Sequence, residues 1–366
     1  MVRQLTPSVL FVSASMGAGH DGAAYELARR VERAGGRSRV VDLLSAVPRP
    51  IAATWRHGYR MQLRFAPESY ERSYRLYYRE SRNWDRALRV MCAMTRDTIA
   101  RWIDAVAADV VVSTYALGTL ILGSLRETSA LEVPTVNFLT DFGVHPRTVH
   151  RGIDLHLAVH EVAAADARKL VDAPVIATGP AVSPRFVAST TAREQVRETL
   201  GIAPHERVVV VAAGSWGVGG DLAGTIQQLA RDGRFEVIAL CAHDRRLARL
   251  VRDRGVGRVY GWTEQMPAFF AAADAVVENA GGLTAFEACA SGAAVVSFRP
   301  IPGHGRDNVR AMVRAGVTAA PETLPDLVRE LDVVTVEGPV RAARLAAARA
   351  MFTSDPAAHI LNEPTG

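Results

Sequence analysis

Three glycine-bearing turns hold the residues best suited to chemistry. The first runs from Ser13 to Asp21 and carries His20 at its mouth. Glycine there lets the backbone approach a ligand, and the helix that follows presents unsatisfied N–H groups favourable to an anion. A histidine at such a mouth can serve as a general base near neutral pH, or it can simply cap the helix. The turn lacks a full GxGxxG, yet Asp42 closes the next strand, so a dinucleotide reading stays open at this point. The second turn is Glu278-Asn279-Ala280-Gly281-Gly282-Leu283-Thr284-Ala285-Phe286-Glu287. Gly281 and Gly282 allow main-chain N–H groups to face a diphosphate, and Thr284 adds a hydroxyl. Glu287, three residues beyond Thr284, shares its helix face. Its carboxylate could accept two ribose hydroxyls or could be an ordinary surface charge. The third turn, Arg299 to Asn308, is fixed by Pro300, Pro302, Gly303 and Gly305 and offers His304 and Asn308 to a sugar.

These turns need a scaffold, and the surrounding sequence describes one. Apolar runs at 8–14, 39–43, 109–113, 135–139, 155–159 and 175–178 alternate with helical segments at 21–34, 85–107, 117–127 and 162–171. Continuous apolar strands alternating with helices imply an α/β fold with a doubly wound parallel sheet. The alternation breaks at Gly179–Pro184 and restarts with runs at 208–213, 236–240, 258–260, 275–278 and 294–297. The expected division is residues 1–182, residues 183–345 and a helical tail at 346–366. The first turn also aligns with the stretch around Ser215: Ser15, Gly17, Gly19 and Asp21 match Ser215, Gly217, Gly219 and Asp221. Twin Rossmann-like lobes account for this, and Gly220 stands where the first lobe has His20.

Composition narrows the class. The 366 residues are 49% hydrophobic and 22% charged, as in ordinary globular proteins. No apolar run reaches the roughly 18 residues of a membrane-spanning helix, and the N-terminus does not read as a signal peptide. Cys92, Cys241 and Cys289 form no CxxC pair, which fits a reducing compartment and offers no zinc knuckle. His145, His150, His156 and His160 crowd together, but their spacing matches no metal-site pattern. The net charge of +5 is concentrated: residues 49–101 hold twelve Arg against five acids, with eight Trp, Tyr and Phe residues. Arg56, Arg60 and Arg64, then Arg75, Arg79, Arg82 and Arg86, recur at helical spacing. Such helices suit an anionic lipid surface, or a solvated Arg face over core tyrosines. No recognisable nucleic-acid-binding module accompanies the charge.

In their order, these motifs resemble glycosyltransferase family 28, especially its diacylglycerol sugar transferases. The resemblance spans roughly Ser8 to Ala315. It rests on the glycine turn ending in His20, Thr140-Asp141-Phe142 with His145, Gly179-Pro180, Gly261-Trp262 with Met266, Gly281-Gly282-Leu283-Thr284 with Glu287, and Pro300-Ile301-Pro302-Gly303 with Asn308. It implies the two-lobed GT-B fold with an interlobe cleft and inverting transfer from a UDP-sugar to a lipid hydroxyl, with diacylglycerol the expected acceptor. His20 and Asp141 would face the reacting centre. Ser215, Trp262, Met266, Asn279, Gly281, Gly282, Thr284, Glu287, His304 and Asn308 would hold the donor, with Glu287 on the ribose and Trp262 and Met266 around the uracil. Residues 49–101 would meet acceptor and membrane through Tyr70, Tyr74, Arg75, Arg79 and Arg82. No cofactor or metal is implied, and the expected location is cytoplasmic, at the inner membrane face. Two departures stand out: His304 and Gly305 replace a Gln-Glu pair usual in the branch, and Thr148 replaces a common Trp. Polyprenyl or secondary-metabolite acceptors, a UDP-GlcNAc 2-epimerase and a non-catalytic nucleotide-sugar binder are the competing readings.

Overall fold

The computed structural model describes residues 6–78, 82–214 and 220–362. They form two compact units. One comprises residues 1–62, 71–181 and 351–366, the other residues 63–70 and 182–350.

The first unit is built on six parallel strands: β1 (Ser8–Ser13), β2 (Arg37–Asp42), β3 (Val110–Ser113), β4 (Thr135–Leu139), β5 (Leu155–Ala158) and β6 (Val175–Ala177). Their spatial order is β2-β1-β3-β4-β5-β6. Val9, Leu10, Phe11 and Val12 are wholly buried because helices cover both faces of the sheet, which is why the strand reads as an unbroken apolar run. Between β2 and β3, where a Rossmann sheet would place another strand, the chain instead forms the helices Arg49–Phe65, Pro67–Tyr77 and Arg82–Val106. Pro67 starts the second of these, where its missing N–H does no harm.

The second unit repeats the design with β7 (Val208–Ala212), β8 (Glu236–Leu240), β9 (Arg258–Tyr260), β10 (Ala275–Glu278), β11 (Ala294–Ser297) and β12 (Thr318–Ala319), ordered β12-β11-β10-β7-β8-β9. That is the full Rossmann order. The two-residue β12 is too short to leave a pattern in the sequence.

The tail does not stand apart as a segment from residue 346. Helix Pro339–Ala350 stays with the second unit, and the chain from Met351 joins the first. There Ser354 N–H donates to the Thr178 carbonyl (3.1 Å), and Arg30 pairs with Asp355 (3.2 Å). Gly179 makes this possible: at φ +100°, a Cβ would lie 2.4 Å from the Met351 carbonyl oxygen.

Candidate active site

Open parallel sheets bind ligands at the carboxyl ends of strands where the strand order reverses. In the first unit that point lies between β1 and β3, and the turn bearing His20 leaves β1 there. His20 Nδ1 lies 2.9 Å from the Thr114 carbonyl oxygen, just past β3, and 3.0 Å from Thr140 Oγ1, just past β4. A carbonyl can only accept, so Nδ1 carries the proton and Nε2 is left as the basic nitrogen. His20 is therefore held by side-on bonds from neighbouring loops and is not a helix cap. Asp141 follows Thr140 directly, and the buried Phe142 anchors the loop. The turn itself is braced. Ser13 Oγ donates to Asp21 (2.6 Å), and Ser15 Oγ donates to Asp42 (2.6 Å) while accepting from Arg56 (2.8 Å). Asp42 also accepts from Leu44 N–H (3.0 Å). Both of its carboxylate oxygens thus work as loop braces, which disfavours a role on a dinucleotide ribose.

The histidines downstream are structural. His156 is fully buried; its Nε2 donates to the His150 carbonyl (3.2 Å), and its Nδ1 accepts from Asn137 Nδ2 (2.9 Å). Burial holds it neutral, with a pKa lowered to about 4. His160 caps the helix Glu161–Arg168 through Val162 N–H. His145 stacks on Tyr78, with ring centroids 3.6 Å apart.

In the second unit the strand order reverses between β7 and β10, and the turn after β10 occupies that point. Glu278 is buried at the end of β10 and accepts from Ala280 N–H (2.7 Å), Gly281 N–H (2.6 Å) and Ser297 Oγ. Gly281's amide is therefore already engaged. Its contribution is conformational: φ is +64°, and a Cβ would lie 2.8 Å from Asn308 Cβ. The helix Leu283–Ala290 starts next, capped by Gly282 without a side-chain hydrogen bond. Its first amides, at Leu283 and Thr284, have no partner within the helix. Asn308, buried, steadies the turn by donating to the Ala280 carbonyl (3.3 Å), and Asn279's carbonyl accepts from Ile301 N–H (2.8 Å). Glu287 sits one turn into the helix. Its carboxyl has no hydrogen-bond or ion-pair partner among the described residues, and burial alone pushes its pKa up to about 8.

The other expected residues are placed as follows. Trp262 lies after β9, three strands along the sheet from β10; it is 58% exposed and stacks on His243 at 4.2 Å. Met266 opens the helix Met266–Ala272. His304 opens the helix His304–Arg314, where Tyr70 Oη lies 3.0 Å from its Nδ1; the segment 63–70 belongs to this unit. Tyr70, grouped by its sequence with the residues expected to meet acceptor and membrane, thus contacts the histidine of the third turn. Tyr74 is also moved from that group, being only 8% exposed and packed on Tyr78 and His145. Arg75 is exposed and pairs with Glu71, and Arg82 is exposed at the start of its helix. Ser215 and Arg79 lie outside the described residues, as does most of the glycine stretch paired with the first turn.

The sequence reading missed Glu278, although an acid ending an apolar strand signals a buried charge in need of donors. It also missed an apolar cavity of about 700 Å³ in the first unit, walled by Trp55, Tyr77, Trp84, Met91, Tyr115 and Leu117. No periodicity could reveal it, because its walls come from four helices and the loops between them. Arg147 clamps that wall. Its guanidinium lies 5.3 Å from the Tyr77 ring centre and 4.7 Å from that of Trp84, and its Nε donates to the Tyr77 carbonyl.

The family model for monogalactosyldiacylglycerol (MGDG) synthase matches residues 20–182. The processive diacylglycerol beta-glucosyltransferase of Bacillus subtilis (strain 168) is 23% identical over 309 residues, covering 82% of this chain and 79% of the relative. The enzyme of the same name from Bacillus cereus (strain ATCC 10987 / NRS 248) is 21% identical over 369 residues, covering 97% and 92%. Among solved structures, Os79 from O. sativa in complex with UDP superposes with a TM-score of 0.61 at 14% identity, covering 94% of each chain. The fold is GT-B. In the order of its motifs, in the matched segment of the first unit and over most of its length, the chain is similar to the diacylglycerol sugar transferases of glycosyltransferase family 28.

Proposed function

We propose that this chain is an inverting glycosyltransferase that moves a sugar from a UDP-sugar to the hydroxyl of a diacylglycerol-type lipid. One observation carries the reading: a half-buried carboxyl without a partner among the described residues, Glu287, stands one helical turn from helix-start amides at the strand-order reversal of a Rossmann sheet. A carboxylate accepts the two hydroxyls of a ribose, and helix-start amides suit a diphosphate. In this reading Glu287 holds the ribose, and the amides of Gly282, Leu283 and Thr284 hold the phosphates. Gly281, Asn279 and Asn308 shape the turn, His304 meets the sugar, and Trp262 with Met266 borders the base.

His20 Nε2 takes the proton of the acceptor hydroxyl. The oxygen then bonds to the anomeric carbon as the bond to UDP breaks, and the sugar inverts. Asp141, beside His20's partner Thr140, orients the acceptor or steadies the charged imidazole. Helix-start amides stabilise the departing diphosphate, so the reaction as proposed needs no metal or other cofactor.

The acceptor side is supported by composition and exposure. The helices of residues 49–106 expose Met61, Leu76 and Val90 among arginines, as expected of a surface that meets anionic lipid at the inner face of the membrane. No helix among the described residues is long and apolar enough to cross a bilayer.

The test is UDP release from UDP-glucose, UDP-galactose and UDP-GlcNAc, with and without diacylglycerol in mixed micelles. The reading expects one donor to give lipid-dependent release. Conversion of UDP-GlcNAc without acceptor would replace it with an epimerase, and absence of UDP binding would remove the donor site.

A further inference from the structure

We infer that the apolar cavity of the first unit takes the alkyl chain of the acceptor, one chain at a time, and so selects acceptors by chain length. This rests on the reading of the chain as a sugar transferase to a lipid hydroxyl.

The cavity's inner wall is aromatic and thioether: Trp55, Tyr77, Trp84, Met91 and Tyr115, with Met16 from the His20 turn. Methionines adapt to a flexible chain without fixing its conformation. Neither tyrosine brings charge, because burial raises both hydroxyls, that of Tyr115 to about 12. The other polar side chains, Asn83 and Arg86, belong to exposed residues of the helix Arg82–Val106, where exposed Ala87, Val90 and Met94 also line the space. The cavity is therefore apolar within and open along one helix. At its inner side the Tyr115 ring meets the His20 ring edge-on at 5.1 Å, and Met16 lies in the same turn as His20. A chain lodged here with its head at the inner side carries the hydroxyl of that head toward the proposed base. At about 700 Å³ the space has the size of an ordinary ligand pocket, so a chain of limited length fills it.

The experiment uses the whole protein and soluble n-alkanols from hexanol to tetradecanol as acceptors, without membrane. Each buried methylene should raise kcat/KM by about fourfold until the cavity is full, after which the profile flattens. A terminally brominated decanol should quench Trp55 and Trp84 fluorescence saturably. Ala87→Phe, introduced from an exposed position, should move the plateau to shorter alkanols and leave UDP affinity unchanged. Val90→Phe gives the same test should the first variant misfold. A profile without chain-length dependence, quenching that does not saturate, or an unmoved plateau in the folded variants overturns the inference. Transfer to diacylglycerol in micelles with a flat alkanol profile sinks the cavity and spares the transferase reading. Saturable quenching with no transfer to any lipid does the reverse.

Discussion

Replacing Glu287 with glutamine separates the charge of this side chain from its shape. In the folded protein burial raises its pKa from 4.5 to about 8, so near neutral pH the carboxyl is protonated. Between those two values the folded state binds a proton that the unfolded chain has released. Stability from this residue is therefore whole below about pH 4.5 and is lost as pH rises through about 8. At about 1.4 kcal/mol per unit the full displacement would cost about 5 kcal/mol; solvent reaching this half-buried group reduces that to about 1–3 kcal/mol. Glutamine carries no such cost. Thermal unfolding of wild type and Glu287→Gln should agree at pH 5 and diverge by pH 8.5, with the variant more stable by several degrees. Binding gives the second readout. Ribose hydroxyls donate to the ionised form, so UDP should expel a proton near pH 7, seen as a dependence of calorimetric heat on buffer ionisation enthalpy. The glutamine variant should bind UDP about ten- to hundredfold more weakly and expel none. Stability curves that stay parallel across this pH range, or UDP binding without proton release in the wild type, would refute the assignment.

His20→Ala should lower turnover by about 10²–10⁴ while UDP affinity, read by calorimetry, stays unchanged; an active variant removes the base. Gly281→Ala forces a Cβ against Asn308 at positive φ and should destabilise the protein by about 1–3 kcal/mol in urea unfolding, whereas an unchanged midpoint would mean the turn is loose. His156 should make the protein acid-sensitive. With its pKa lowered from 6.5 to about 4, its stabilising effect is complete above pH 6.5 and is lost as pH falls toward 4. His156→Gln should flatten that part of the pH-stability profile. Arg147→Leu removes a cation lying over two rings and should cost about 1–2 kcal/mol, with loss of bromodecanol quenching if the cavity wall loosens.

Strands such as Ser8–Ser13 and Val208–Ala212 were legible because burial on both faces writes an unbroken apolar run into the sequence. Glycine turns were legible because few residues accept their geometry. Partnerships across the sequence were not. Nothing in the spacing of Tyr70 and His304, 234 positions apart, marks them as neighbours, and nothing local separates Tyr74 in the interior from an interfacial tyrosine. The arginines were the most ambiguous residues. Arg56, read as part of a stripe facing anionic lipid or solvent, is instead a brace on Ser15 and Asp42. Helical spacing alone cannot tell a charge that meets solvent from one that reaches back to a loop.

Two acids on one strand-turn-helix show how a fold can hold a binding group in readiness. Glu278 and Glu287 are nine residues apart, and burial raises the pKa of both. Glu278 offsets that penalty with two main-chain N–H groups and a serine hydroxyl, and in doing so it bends the backbone into the turn. Glu287 has no such donors among the described residues, so its desolvation remains uncompensated. A half-buried carboxyl left without donors costs stability, and the scaffold tolerates it because the satisfied acid at the start of the same turn makes that turn rigid. The same shortage gives a ligand bearing paired hydroxyls more to gain here than at a carboxylate already engaged. A Ser297→Ala change should therefore weaken UDP binding although Ser297 is not proposed to touch the ligand: loosening Glu278 loosens the turn from which Glu287's helix begins.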